Sequence, residues 1–252
     1  MDGTTTTIFY IFVFLLGACV GSFLNVCILR IPAGESIVVG PSHCMNCGRR
    51  LKWYEMIPLF SWLALRGRCS GCHSRISAQY PLIEAANAGL WLLVCGRFGL
   101  TPDSILGCLF VSVLLVASVI DARTREIPPG TTIAVAVLGI ARLLFHLSDW
   151  KSAVLGLVCV SGVLGLVLLI SGGRAVGGGD VKLMAGTGLF LGFRLNILAF
   201  FIGCVLGAVI HLVRMKFFHA GRELAFGPYL AAGAAIALIW GDGLINWYLA
   251  LL

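Results

Sequence analysis

Two of the eleven acidic residues in this chain stand at the edges of long apolar runs, where a charge is costly. Asp121 closes the run LGCLFVSVLLVASVI, and Asp180 follows Gly177, Gly178 and Gly179 and opens the next apolar run. Two aspartates within a few ångströms of each other cannot both ionise, so one keeps its proton while the other is a carboxylate. Such a pair deprotonates a water molecule and then protonates an amide nitrogen, which is aspartic-protease chemistry.

Each acid alone also fits a simpler role as a helix cap at a membrane interface, and a proton-coupled transporter could use the same pair. Helix-breaking residues stand beside both acids, since Pro128 and Pro129 follow Asp121 and three glycines precede Asp180. This arrangement favours a catalytic role over a role as simple helix caps. Glycine has no Cβ atom, so a substrate strand or a partner helix can approach its backbone closely. We therefore predict that Asp121 and Asp180 are catalytic. The predicted active-site loop consists of Gly177, Gly178, Gly179 and Lys182.

Four cysteines form a second chemical pattern, in the only long polar stretch of the chain. Cys44, Cys47, Cys69 and Cys72 follow the spacing C-x2-C-x21-C-x2-C, which is typical of a zinc ribbon with four thiolates around one Zn²⁺. A redox dithiol and unpaired thiols are the alternatives. A site with four thiolates is closed to further ligands, so its predicted role is to fold a small subdomain rather than to catalyse.

The elements that must position these residues are membrane helices. The chain is 59% hydrophobic and 12% charged, with a mean hydropathy of +0.99, which indicates a polytopic membrane protein. A helix needs roughly 20 apolar residues to cross a bilayer, and the chain contains several apolar runs of about this length. We predict an all-α fold with about eight transmembrane helices, near residues 8–29, 80–96, 104–120, 131–148, 152–171, 183–193, 195–213 and 224–240.

The cations predict the orientation, because positively charged loops stay on the cytoplasmic side. Fourteen of the 18 Lys and Arg residues fall in segments 30–79, 121–130, 172–182 and 214–223, on one side of the predicted helices. Both aspartates then lie at the same cytoplasmic depth. This topology and the anionic lipid bilayer account for the net charge of +7 without a nucleic-acid partner.

Three segments follow from this organisation. Residues 1–29 are predicted to form the first transmembrane helix, residues 30–79 a small cytoplasmic insert resembling a zinc ribbon, and residues 80–252 a transmembrane aspartyl peptidase domain.

The chain resembles the type IV prepilin peptidases, membrane aspartyl proteases that also process pseudopilins of type II secretion. Besides the cysteine pairs, five blocks carry the resemblance in the family's order: GACVGSFLNVCILRIP, SRISAQYPLIEAANAG, DARTREIP, GGGDVKLMAGTGLFLG and FGPYLAAGA. The presenilin-like GxGD proteases are the alternative, but their YD motif is absent and the cysteine segment fits only the prepilin group. Two positions depart from the family pattern, Pro129 where an acidic residue is common and Ala225 where proline is common.

The resemblance implies that Asp121 and Asp180 are the catalytic pair and that the four cysteines bind a structural Zn²⁺. It implies an enzyme of the bacterial inner membrane, serving a type IV pilus or type II secretion, which cleaves the basic leader of prepilins or pseudopilins after a glycine at the cytoplasmic face. It further implies N-methylation of the new N-terminal residue from S-adenosylmethionine. The residues that bind this donor are expected within 17–84, a segment that includes Glu84.

Overall fold

A computed structural model describes residues 3–38, 40, 42–218 and 224–251 of the chain. In these ranges the fold is helical, and the only β pairing consists of two isolated bridges. The α-helices are α1 (Gly3–Arg30), α2 (Phe60–Ala64), α3 (Gln79–Phe98), α4 (Pro102–Thr124), α5 (Pro129–Phe145), α6 (Trp150–Ser171), α7 (Gly178–Leu191), α8 (Phe193–Phe218) and α9 (Gly227–Leu249). The chain divides into two compact units, Met1–Gly99 and Leu100–Leu252.

The first unit is built on the close packing of α1 against α3. A Cβ atom on Gly17 would lie 2.9 Å from Cα of Ala88, and one on Gly21 would lie 2.7 Å from Cα of Glu84, so only glycine permits this approach. The buried side chain of Asn87 donates from Nδ2 to the carbonyl oxygen of Gly17, at 2.7 Å. A polar bond of this kind fixes the register of two helices in an apolar environment.

The polar insert joins α1 to α3 and contains the four cysteines. It also holds a 3₁₀ turn, Trp53–Met56, followed by the single turn of α2. On one side of α2 the indole N–H of Trp62 donates to the carbonyl oxygen of Ile76 at 3.2 Å, which ties the turn to the end of the cysteine segment. The insert therefore has an ordered fold of its own.

The second unit surrounds α7 with the helices α5, α6, α8 and α9, while α4 packs against α5 and α9. Helix α4 begins at a capping residue, Thr101, whose hydroxyl accepts the N–H of Ser104 at 3.3 Å. It ends at Thr124, and the next residue, Arg125, adopts the left-handed conformation with φ 59°. Pro129 then starts α5. At this first position a backbone N–H would have no partner within the helix, so proline, which lacks the N–H, loses no hydrogen bond there. These stops place Asp121 in the last turn of α4.

Arg142 is a charged residue within the apolar helix α5. Its guanidinium donates to the carbonyl oxygen of Phe190 near the end of α7, and its Nε lies 3.4 Å from a carboxylate oxygen of Asp103 at the start of α4. Nε2 of His146 lies 3.0 Å from the other oxygen of Asp103. The arginine is therefore tolerated in a membrane segment because it has polar partners there.

The eight predicted spans all correspond to helices, and the prediction of an all-α membrane fold is confirmed. Within the described ranges, five helical segments are long and apolar enough to cross a membrane, namely α1, α4, Leu147–Ser171, α8 and α9, and α5 is a shorter apolar helix. The last span is one continuous helix as far as Leu249. Helix α7 begins five residues earlier than the predicted span, because the polar Gly178 to Lys182 turn is helical. Arg222, one of the fourteen cations, lies outside the described residues, and the three-segment division of the chain stays a prediction.

Candidate active site

Asp121 lies in the last turn of α4 and is buried. Its Oδ2 accepts a hydrogen bond from the backbone N–H of Gly227, the first residue of α9, at 2.9 Å. The first N–H groups of a helix have no partner within the helix, and they carry a partial positive charge. The start of α9 therefore both orients and stabilises the Asp121 carboxylate.

Asp180 lies in the first turn of α7 and is also buried. Its Oδ2 accepts the backbone N–H of Gly177, the residue that caps this helix, at 3.2 Å. The two aspartates thus share one arrangement, since each has Oδ2 held by a backbone N–H at the beginning of a helix. In the described part of the chain, the Oδ1 atom of each aspartate accepts no protein hydrogen bond, which leaves it available to water and substrate.

The two carboxyl groups lie close enough to interact electrostatically. One apolar residue, Ile127, in the loop between α4 and α5, packs against the backbone of both helix starts. A Cβ atom added to Gly179 would lie 3.0 Å from Cβ of Ile127, and one added to Gly227 would lie 3.1 Å from Cδ1 of the same residue. The loop after Asp121 therefore contacts the element that carries Asp180.

The predicted active-site loop divides into two parts. Gly179 faces Ile127, so it allows an internal contact, whereas a Cβ atom on Gly178 would have no neighbour within 4 Å among the described residues. Gly177 and Gly178 are exposed, and the side chain of Lys182 is also exposed. The open side of this turn is the one that a substrate backbone could approach.

The four predicted metal ligands converge in the first unit. The Sγ atoms of Cys44, Cys47, Cys69 and Cys72 all lie within 4.8 Å of one another, and those of Cys44 and Cys72 are 3.8 Å apart. A tetrahedral Zn²⁺ with Zn–S bonds of about 2.3 Å requires sulfur atoms about 3.8 Å apart, so the group fits one ion. His43 and His73 are not members of the group found in the described residues.

Each cysteine pair lies in a tight backbone turn with the same hydrogen bonds. In the first turn the N–H of Gly48 donates to the carbonyl oxygen of Cys44 at 2.8 Å, and in the second the N–H of His73 donates to that of Cys69 at 3.0 Å. The Gly71 N–H also points to Sγ of Cys69 at 3.4 Å. Backbone N–H groups aimed at sulfur stabilise thiolates, which are the form that binds a metal.

Glu55 joins the 3₁₀ turn to both cysteine turns. Its carboxylate accepts the backbone N–H of Lys52 at 2.8 Å, the hydroxyl of Ser70, and the guanidinium of Arg49 at 2.7 Å. In that order these partners lower the pKa of Glu55 to about 2. The insert is therefore held by an ion pair with a buried carboxylate in addition to the cysteine cluster.

Sequence reasoning missed Gly227 and Ile127. The motif FGP marked the position of Gly227, but its contribution is a backbone N–H and the absence of a side chain, which residue type alone does not reveal. Ile127 was hidden among many apolar residues, although it lies between Asp121 and the proline pair, where any residue must be near the site.

Two family models match the chain. The Bacterial Peptidase A24 N-terminal domain matches residues 15–98, and the Type IV leader peptidase family matches residues 108–212. Curated relatives called prepilin leader peptidase/N-methyltransferase include proteins from Pseudomonas putida, 33% identical over 90% of this chain and 89% of the relative, and from Bacillus subtilis, 34% identical over 94% and 96%. A relative of the same name from Stutzerimonas stutzeri is 34% identical over 93% of this chain and 92% of its own length. No solved structure matches the chain.

Proposed function

The chain belongs to the type IV leader peptidase family, and from this we propose that Asp121 and Asp180 are the catalytic pair that removes the leader peptide from prepilins. It is an enzyme that cleaves prepilin leader peptides and N-methylates the product. The observations that support our assignment are that both carboxyl groups are buried, that each is held by a backbone N–H at a helix N-terminus, and that they are close enough to interact electrostatically. Family membership favours peptide hydrolysis over proton-coupled transport and over a non-catalytic scaffold.

The pair would act through one shared water molecule. One aspartate, as a carboxylate, takes a proton from the water while its oxygen attacks the scissile carbonyl carbon. The other aspartate holds a proton and donates a hydrogen bond to the carbonyl oxygen, which polarises the carbonyl group. Attack of the water oxygen on the carbonyl carbon gives a tetrahedral intermediate. When the C–N bond breaks, a proton passes to the departing amide nitrogen, and water has been divided between the new carboxyl and amino groups. Because each Oδ2 is held by a backbone N–H, the Oδ1 atoms are the ones available for this chemistry.

The substrate would reach the pair at the cytoplasmic face of the bacterial inner membrane. A prepilin presents an apolar helix preceded by a basic leader, so its scissile bond after glycine lies at the membrane interface. The exposed backbone at Gly177 and Gly178 gives an extended peptide room beside Asp180. Pseudopilins of type II secretion have the same design and are proposed as equivalent substrates.

The methyl donor would bind in the first unit. A cavity of about 460 Å³ lies beside the end of α1 and is lined by Arg30, Glu35, Ser36, Gly40, His43, Gly48 and Arg50. S-Adenosylmethionine carries one carboxylate and one ammonium group, and the cavity offers arginines for the first and Glu35 for the second. Glu84 has a structural partner instead, because its carboxylate accepts the N–H of Leu59 at 2.7 Å. When bound, the donor supplies a methyl group to the new amine, which loses a proton.

The four cysteines would hold a structural Zn²⁺. The fit rests on the convergence of Cys44, Cys47, Cys69 and Cys72 and on the N–H groups that face their sulfur atoms. An ion with four thiolate ligands has no open position, so it would stabilise the insert and the cavity beside it rather than enter the reaction.

The catalytic assignment is tested by changing each aspartate separately. Asp121→Asn and Asp180→Asn, purified in detergent, are assayed for processing of a prepilin, with Asp149→Asn as a control at an exposed aspartate. Both active-site variants should fold as the unchanged protein does and lose cleavage. A variant that still cleaves at a near-normal rate contradicts the paired mechanism.

A further inference from the structure

Two short helical turns of the insert leave large apolar side chains exposed, although the insert is the most polar part of the chain. The 3₁₀ turn exposes Trp53, with 75% of its surface accessible, and α2 exposes Phe60 and Leu63 at 59% and 64%. Met56 and Ile57, between the two turns, are also exposed. We call these five side chains the apolar lip. Exposed apolar groups in such number mark an interaction surface.

Two polar groups of this segment, the Glu55 carboxylate and the Trp62 indole N–H, are bonded within the insert, on the side away from the apolar lip. Glu55, the only acid among these residues, is buried against Arg49 and Ser70. Trp62, the amphipathic residue of α2, directs its indole N–H to the carbonyl oxygen of Ile76. Each turn therefore presents large apolar groups outward while one polar group is bonded inward, and the exposed Tyr54 adds an amphipathic ring, as in an interfacial membrane helix.

One hydrogen bond fixes the depth of the apolar lip. The backbone N–H of Leu59 donates to Oε2 of Glu84 at 2.7 Å. Glu84 lies five residues after the start of α3 at Gln79, about 7.5 Å along the helix. It also packs beside Gly21 of α1, nine residues and about 13 Å before that helix ends at Arg30. Because α1 is long and apolar enough to span the membrane, Leu59 is held at a level inside the span rather than beyond it.

The backbone at this tether is strained. Leu59 has φ 63° and ψ −53°, and the N–H of Phe60 donates to the carbonyl oxygen of Pro58 at 2.7 Å, which closes a three-residue turn. Such a turn with positive φ is rare for a residue with a side chain, and it persists only where its surroundings hold it. The buried carboxylate of Glu84 supplies that restraint, so the chain maintains the apolar lip at this depth against a local conformational cost.

We propose that the apolar lip is inserted into the lipid bilayer at the boundary between headgroups and acyl chains. The occupant of this surface is lipid because the tether places it at the level of the neighbouring span, which is long and apolar enough to cross the membrane. Lys52 precedes the lip and Arg66 follows it, both exposed, where they meet anionic headgroups. Trp53 has the amphipathic side chain that is enriched at this boundary.

The proposal is tested by the environment of Trp53 in the full-length protein, reconstituted in nanodiscs of phosphatidylglycerol and phosphatidylethanolamine. Subtracting the emission of the Trp53→Phe variant from that of the unchanged protein isolates the emission of Trp53. We expect lipids brominated on the acyl chains to quench the larger part of this emission, and aqueous iodide to quench little of it. Glu84→Leu, which removes the acceptor for Leu59, should reverse the two responses.

A control places the reporter elsewhere in the insert. In the double variant Trp53→Phe, Met45→Trp the tryptophan lies on the first cysteine turn, where Met45 is 78% exposed, and iodide should quench it. Strong iodide quenching of Trp53 itself would overturn the proposal. Protection of Trp53 from both quenchers would also overturn it, because a protein surface such as a second copy of the chain would then cover the lip. Neither result depends on the catalytic assignment.

Discussion

The backbone N–H of Gly227 lies 2.9 Å from Oδ2 of Asp121, which joins the start of α9 to the end of α4. The two residues are 106 positions apart in the sequence. Asp180 has an equivalent bond with Gly177, so backbone groups rather than flexible side chains orient both carboxylates. A site built in this way depends on the absence of a side chain at the donor residue. Changes as small as one methyl group should therefore affect it.

Gly227→Ala should lower prepilin cleavage about 100-fold, because a displacement of about 1 Å at a catalytic group costs a factor of this size. The added Cβ atom would lie 2.7 Å from Oδ2 of Asp121 and 3.1 Å from Cδ1 of Ile127, so the carboxylate must move. The measurement is kcat for a purified prepilin. Gly243→Ala, on the same helix with no atom within 4 Å of the new Cβ, should retain normal kcat. Equal activity of the two variants would show that the Gly227 contact is not important.

The double variant Asp121→Asn, Asp180→Asn should be no less active than either single variant. Each single change should reduce cleavage by about 10² to 10⁴, the usual contribution of a general acid or base. Residues that act as one unit lose their function once, so the effects of the two changes do not add. Single-turnover rates of all three variants provide the measurement. Multiplicative losses would indicate that the two aspartates act independently.

The parts of this architecture that depend on residue type were predictable, whereas those that depend on backbone contacts were not. Asp121 and Asp180 were predicted as a catalytic pair because a carboxylate at an apolar boundary is rare, and the convergence of the cysteines was predicted because their spacing is specific. Gly227 contributes only an N–H, and its contact with Asp121 exists through the packing of α9 on α4. The tether between Glu84 and Leu59 was hidden for the same reason, since it joins a side chain to a backbone group 25 residues away.

Removal of the metal should separate the two activities. Cys72→Ser should reduce bound zinc from about one ion per chain to none and make the insert sensitive to protease, because structural zinc supplies much of the folding energy of such subdomains. Methylation should be lost, while cleavage by the second unit should fall much less. Cys19→Ser, at an exposed cysteine of α1 outside the cluster, should retain zinc and both activities. Equal loss of cleavage and methylation in Cys72→Ser would contradict this division.

The stability of the insert should depend on the ionisation of Glu55. Its pKa is lowered to about 2, from a usual value of about 4.3, because the backbone N–H of Lys52, the hydroxyl of Ser70 and the guanidinium of Arg49 favour the carboxylate. The stabilisation is therefore fully present above about pH 4.3 and is lost as the pH falls toward about 2.

This dependence is measured as the difference in proteolytic stability between the unchanged protein and Glu55→Gln. The difference should be constant from about pH 7 to 5 and should shrink below that range, while acid release of zinc affects both proteins equally. Glu126→Gln, at an exposed carboxyl group of the other unit, should give no such difference in the insert. A difference between the unchanged protein and Glu55→Gln that persists at pH 2 would indicate that packing rather than charge holds this residue.

Arg50→Gln and Glu35→Gln should each raise the KM for S-adenosylmethionine about tenfold or more and leave prepilin cleavage unchanged. Both side chains line the cavity at the end of α1, where they would face the carboxylate and the ammonium group of the donor. A hydrogen bond to a charged group contributes about 1.5 to 3 kcal/mol, which corresponds to a factor of about ten to a hundred in binding. Arg75→Gln removes an exposed arginine of the same insert that does not line the cavity, and its KM should stay normal. If the donor binds in this cavity, loss of either charge must weaken its binding. A normal KM in both cavity variants would therefore show that the donor binds elsewhere.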